Sequence, residues 1–198
     1  MIEYTNQTIV GLGSLDDATL VDCTINAIIN HSIYRNCTFE RCTFSTDYMD
    51  YLDFDECTFI NCDFRAVKSI NSIDFDKSRF TDCKFPENIP TVKRIESKLY
   101  DTITSENLDM GDWHSECGTT HCIAGWIVTL AKMENEENID PIAVLGLEYD
   151  YSTPGLASFI YAKSSRSGVI PDFFTDDNSA MAGLEMEYNN AYTLSLED

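Results

Sequence analysis

Basic residues are scarce in this chain. Thirteen Lys and Arg stand against 34 Asp and Glu in 198 residues, a formal net charge of −21. A surface so negative repels phosphate, so neither direct nucleic-acid binding nor attachment to an anionic membrane is expected. Long apolar runs are missing too: no stretch approaches the ~20 residues that a membrane span requires. The opening segment MIEYTNQTIV holds neither a basic cluster nor an apolar run, so a secretory leader is not expected. The expected location is therefore cytoplasmic, where the eight cysteines stay reduced. What remains, with 43% hydrophobic residues, suffices for one good core or two small ones and excludes a disordered chain.

Apolar residues recur at every fifth position: Ile29, Tyr34, Phe39, Phe44, Met49, Phe54, Phe59 and Phe64. Neither a helix, with period 3.6, nor a strand, with period 2, produces this spacing. A sustained five needs a backbone that turns a corner in each repeat and brings its large side chain back inside. Two residues before each of these stands a second, mostly small column: Ala27, Ser32, Cys37, Cys42, Asp47, Leu52, Cys57 and Cys62. The paired columns continue after a one-residue slip as Lys68/Ile70, Ile73/Phe75, Ser78/Phe80 and Cys83/Phe85, and Ala18/Leu20 and Cys23/Ile25 precede another slip. Asp47 and Lys68 mark irregular repeats.

These columns resemble the pentapeptide-repeat family, whose pattern places a small residue two positions before a central Leu or Phe. The resemblance implies a right-handed quadrilateral β-helix with four pentapeptides per turn, so that residues twenty apart stack on one face. Cys23, Cys37, Cys42, Cys57, Cys62 and Cys83 then pack as small hydrophobes between the rings. The other three positions of each repeat face solvent. Asp47, Asp50, Asp53, Asp55, Glu56 and Asp63 follow one another between Arg41 and Arg65 with no base among them, and form the candidate partner-binding surface.

The repeat stops at Phe85-Pro86, giving expected boundaries of 1–17 for an N-terminal cap, 18–85 for the β-helix and 86–198 for an acidic, mainly α domain. Val92, Ile95, Leu99 and Ile103 follow helical spacing, which predicts a helix from about Thr91 to Ser105 that caps the open coil. Further helices are expected from Thr120 to Met133, with Thr119 as N-cap, from Thr153 to Ala162 and from Ser179 to Tyr192. Residues 168–174 read as an ordered loop with buried aromatics. Residues 91–198 hold 19 acids and 6 bases, against 15 and 7 in residues 1–90, so the segment from Glu134 onward is a second acidic surface.

One constellation could carry chemistry. His114, Cys117, His121 and Cys122 fall within nine residues, in a segment rich in Gly and Thr. A zinc site could draw ligands from these four, although adjacent His121 and Cys122 diverge by about 100° on a helix. A cysteine nucleophile would need one Cys–His pair and a helix N-terminus to stabilise the thiolate. A structural role, with Trp113, Cys122 and Trp126 as core, is the third reading. The Trp-His…Cys-x-Thr-Thr-His-Cys-x-Ala-Gly-Trp run is similar to domains of uncharacterised phage and bacterial proteins, which implies a bacterial or phage source and no activity.

The combined expectation is a non-enzymatic acidic scaffold with no cofactor and a basic protein as partner. The resemblance to pentapeptide-repeat proteins, some of which are DNA mimics in the groove of type II topoisomerases, implies a host DNA-handling or defence protein as target. At a ~4.8 Å rise per turn, a coil of three to four turns spans under ~20 Å, and a homodimer or the helical domain would lengthen it. Metal- or thiol-dependent activity at the Cys/His cluster is the alternative.

Overall fold

The computed structural model describes residues 2–70, 72–111, 121–135 and 153–194. The chain climbs through β1 (Ile2–Thr5), β2 (Thr8–Leu12) and β3 (Leu15–Asp16), then β4 (Ala18–Val21), β5 (Thr24–Ile28) and β6 (Ile33–Arg35). It continues through β7 (Thr38–Glu40), β8 (Thr43–Phe44), β9 (Leu52–Asp55), β10 (Thr58–Ile60), β11 (Ile73–Asp74) and β12 (Arg79–Thr81). Parallel pairing, in register except between β2 and β5, stacks these strands into three sheets, β1-β4-β7-β10-β12, β11-β9-β6-β3 and β2-β5-β8. The Tyr48–Ser69 bridge marks a fourth face. The product is a parallel β-solenoid of about four turns over residues 2–81, followed by helices. Residues 2–16, expected in a cap, supply the strands of its first turn.

The corners explain the period of five. Asp17, Asp22, Asn36, Arg41, Glu56, Asn61, Lys77 and Asp82 all have φ between 49° and 53°, and each immediately precedes a small-column residue. Asn and Asp tolerate this left-handed conformation best, so Arg41, Glu56 and Lys77 hold it at a cost. Side chains bridge corners on successive turns. Asn36 Nδ2 donates to Asp17 at 2.7 Å, and the Arg41 guanidinium donates to both oxygens of Asp22 at 2.7 and 2.9 Å.

Inside, three columns of rings run along the axis. Tyr34, Phe54 and Phe75 stack at 4.6 and 5.1 Å; Phe39, Phe59 and Phe80 at 5.0 and 4.7 Å; Phe44, Phe64 and Phe85 at 4.4 and 5.8 Å. Their interplanar angles of 6–14° make each column a continuous stack, with edge contacts between columns. The small column is satisfied in the same repeating way. The Cys37, Cys42, Cys57, Cys62 and Cys83 thiols lie 3.3–3.4 Å from the carbonyls of Leu15, Leu20, Tyr34, Phe39 and Phe59 on the previous turn. Ser78 takes the equivalent place, donating to Phe54 O and accepting from Cys57 N–H, both at 2.9 Å.

Three repeats differ from the expected columns. Ile29 is 55% exposed and Ala27 only partly buried, because β5 meets β2 through register shifts and Tyr34 follows Ile25 after nine residues instead of ten. Asp47 and Lys68 face solvent, while Thr46 and Val67, one residue earlier in each case, are buried in their place. An interior slot between stacked rings strips water from a charge, so the chain shifts by one residue to offer an uncharged side chain.

Four helices follow among the described residues: α1 (Ile95–Thr102), α2 (Ile123–Glu134), α3 (Thr153–Ser164) and α4 (Asp177–Leu194). The expected capping role of residues 91–105 belongs elsewhere. Helix α1 packs on α4 and α2, whereas α3 lies against β11 and places Phe159 5.0 Å from Phe85 and 5.6 Å from Phe64 and Phe75. Phe159 thereby covers the last rungs of all three stacks. The loop after α3 closes the edge of β12: Phe80 N–H donates to Gly168 O, and Ile170 N–H donates to Ser78 O, both at 2.8 Å. Gly168 has φ 64°, and a Cβ there would sit 1.9 Å from Phe80 O. Phe173 of this loop is buried, but Phe174 is exposed.

Candidate functional site

The six carboxylates expected to meet a partner separate into two groups. Asp47 is paired with Lys68 at 3.0 Å, Asp63 accepts from Arg65, and Asp50 accepts from Ser69 Oγ at 3.1 Å. The Arg65 guanidinium holds the Asp63 carboxyl below the usual carboxylate range. Asp47 and Asp63 are thereby partly neutralised by their own chain, and Asp50 is held by a neutral donor.

Asp53, Asp55 and Glu56 lie on or beside β9, and the next turn sets more acid against them. Asp53 registers with Asp74 across β9 and β11, and Asp76 lies within electrostatic reach of Asp55. Turns stack ~4.8 Å apart, so these carboxylates form two adjacent columns of like charge. Their protonation reflects the crowding. Burial, then Asp76 and Asp53, push the Asp74 carboxyl up to about 7. Burial and Asp55 raise Asp53, with Arg35 opposing, while burial and Asp172 raise Asp76 against the pull of Lys77. Lower on the same sheet, Asp16 is matched by Arg35 at 3.5 Å. The excess negative charge therefore gathers at the end of the face nearest the helices.

Asp74 and Asp76 escaped the sequence reading. They stand 21 residues after Asp53 and Asp55, one turn plus the one-residue slip, and that offset is the signal that could have found them. Much of the second acidic surface expected from Glu134 onward, residues 136–152 and 195–198, lies outside the described residues.

The Cys/His cluster is divided in the same way, because His114 and Cys117 lie outside the described residues. His121 is 4% exposed, exchanges backbone hydrogen bonds with Asn107 and Asp109, and meets the Trp126 ring edge-on at 4.8 Å. Cys122 is the N-cap residue of α2, at the positive end of its dipole, and is buried. It lines a cavity of about 400 Å³ together with Asp74, Met110, Pro154, Phe173 and Phe174. The fold thus brings a helix-terminal thiol and a carboxyl that titrates near neutrality onto one cavity wall. Among the described residues, no group of three His, Cys, Asp or Glu could hold a metal ion.

The solenoid thiols belong to the packing. Hydrogen bonds with Cys42 and Cys83, and then burial, push the Cys62 thiol far up; Cys57 is raised by Cys37 and by burial. Cys57 and Cys62 are therefore poor nucleophiles at neutral pH, while their hydrogen-bond partners Cys37, Cys42 and Cys83 are lowered in turn, Cys37 to about 7. Among the described residues, no helix is long and apolar enough to cross a membrane. No family model, curated protein or solved structure matches the chain.

Proposed function

We propose that the protein is a non-enzymatic interaction scaffold of the pentapeptide-repeat type, carried in a bacterial cytoplasm or encoded by a phage. Asp53, Asp55, Glu56, Asp74 and Asp76 face a basic groove of a DNA-binding protein. The observation behind this reading is the in-register doubling of Asp53 by Asp74, with Asp76 beside Asp55, on a rigid sheet whose neighbouring bases are already engaged, Arg35 with Asp16 at 3.5 Å and Lys77 with Asp76 and Asp172 at 3.5 and 3.2 Å. Carboxylates held on a fixed lattice need no ordering on binding, which favours affinity and a fast, salt-sensitive association. About four turns at ~4.8 Å span roughly 20 Å, so the groove meets a short stretch of imitated phosphate, lengthened by a homodimer or by the acidic helical half.

The raised carboxyls make this reading testable by pH. A basic groove stabilises ionised Asp74, so binding releases a proton and tightens as pH rises through about 7. The experiment displaces a fluorescent duplex from a bacterial type II topoisomerase by adding the protein at two salt concentrations and at pH 6 and 8. Displacement that weakens with salt and strengthens at pH 8 is the expected result. No displacement at low salt and pH 8 removes the topoisomerase form of the proposal.

A second reading rests on the cavity that Cys122 shares with Asp74. Thiol-dependent activity there requires Cys122 to react faster than a free thiol, and a zinc form requires stoichiometric metal whose removal lowers the melting temperature. Thiol-reagent kinetics and metal analysis of unchelated protein decide both.

A further inference from the structure

Helix α4 buries a stripe of Ala180, Leu184 and Glu187, spaced four and three residues apart. The third position of such a stripe normally holds an apolar side chain, yet here it holds a carboxylate that is only 7% exposed. Among the described residues the helical half has one other carboxylate as deeply buried, Glu96, and it accepts the Arg166 N–H at 2.6 Å. Glu187 Oε2 has no hydrogen-bond partner among the described residues. Native proteins rarely leave such an atom unanswered.

Glu187 also lines a cavity of about 260 Å³ between α4, the start of α2 and the 169–172 loop. Its walls are Ile123, Val169, Ile170, Leu184 and Met186, with Lys77 and Asp172 at one side. Lys77 is committed to Asp172 and Asp76 at 3.2 and 3.5 Å, so that side offers no uncompensated positive charge. The nearby Tyr161 phenol is held well above its ordinary range by burial and then by Glu187 and Glu96, and so brings no charge. The site offers an apolar chamber, an orphan carboxylate and no free cation among the described residues.

We propose that this cavity binds an ammonium group carried on a small apolar body, the ammonium hydrogen-bonding to the Glu187 carboxylate and the apolar part lying against Ile170 and Leu184. Cavities of ~150 Å³ accept a benzene ring, so the space suits a ring with a two- or three-carbon arm. Anions are repelled by Glu187, and neutral ligands leave its charge uncompensated. The same chemistry reaches the site either as a free amine or as a lysine side chain of a polypeptide.

The test uses the full chain and calorimetric titration with phenethylammonium and with the isosteric phenethyl alcohol. A charge-assisted hydrogen bond predicts roughly 10- to 100-fold tighter binding of the ammonium. Glu187→Gln abolishes that preference. Gly183→Leu tests the site without touching the carboxylate: Gly183 lines the cavity, its added Cβ would meet nothing within 4 Å, and the larger side chain fills the space. It is expected to abolish binding of both compounds while the fold is kept. Equal affinity for the two compounds, no binding of either at 10 mM, or an unchanged preference in Glu187→Gln overturns the proposal. Binding of Nα-acetyl-lysine methylamide with the same two sensitivities assigns the ammonium to a polypeptide; its failure beside phenethylammonium binding assigns it to a free amine.

Discussion

The solenoid and the helical half bury polar groups by opposite means. In the solenoid, the thiols of Cys37, Cys42, Cys57 and Cys62 and the hydroxyl of Ser78 each meet a carbonyl on the previous turn, and the same solution recurs every 20 or 21 residues. Away from that lattice, Glu96 is satisfied by a single contact made across the fold, and Glu187 Oε2, like Asp74 Oδ1 and Asp76 Oδ1 at the solenoid's helical end, is left without a hydrogen-bond partner among the described residues. The cavities lined by the carboxylates of Asp74, Glu96 and Glu187 lie at or beyond the seam between the halves. Repetition produces a scaffold with little room for chemistry in its interior; irregular packing leaves the cavities. The solenoid is therefore suited to present its outer face, and the helical half to receive small groups.

The sharpest way to break this contrast is to interrupt one ring stack. Phe59 lies between Phe39 and Phe80, and Phe59→Ala is expected to cost about 4 kcal/mol. Because turns hold one another in place, the loss should appear in urea unfolding of the whole solenoid. A smaller effect is expected at the seam. Gly168→Ala forces a Cβ into Phe80 O and detaches the loop from β12, at about 3 kcal/mol, with faster hydrogen exchange at the Phe80 amide.

The acidic face provides a change of opposite sign. Asp74 has a folded pKa of about 7, above its unfolded value near ~3.9, so the folded state binds the extra proton between those values. The stability it contributes is present at pH 4 and is lost as pH rises through about 7. Asp74→Asn should therefore gain of order 2 kcal/mol over native at pH 8 and much less at pH 5, measured as the difference in melting curves. The smallest effect concerns a corner. Glu56 holds φ 51° in a conformation that Asn adopts at lower cost, so Glu56→Asn should stabilise by ~0.5–1 kcal/mol, read as a rise in the urea midpoint.

The same division governs what could be read in advance. A period of five constrains side chains that meet their own copies one turn away, so the Phe columns, the cysteine column and the existence of corners were all legible. Where the repeat slips, a local choice decides: Thr46 over Asp47 and Val67 over Lys68 follow from the cost of burying charge, which column counting ignores. Helical spacing located α3 and α4 closely and put α1 in the right region. It could not say that Phe159, and not the first helix, would meet the open ring stacks, because that contact spans about 75 to 95 residues of sequence. The same holds for the site. Asp53 and Asp55 were legible as exposed acid; their pairing with Asp74 and Asp76, the sharing of a cavity by Asp74 and Cys122, and the orphan state of Glu187 are long-range facts.

We propose that the β9–β11 face, and not acidity in general, engages a basic partner. Two double variants with the same change in net charge test it in the duplex-displacement assay: Asp53→Lys with Asp55→Lys, and Asp47→Lys with Asp63→Lys. The first pair is expected to lose displacement by more than ~10-fold while the second stays within ~3-fold of native, because Asp47 and Asp63 are already matched by Lys68 and Arg65. Equal losses in the two variants would contradict it and return the interaction to unspecific charge.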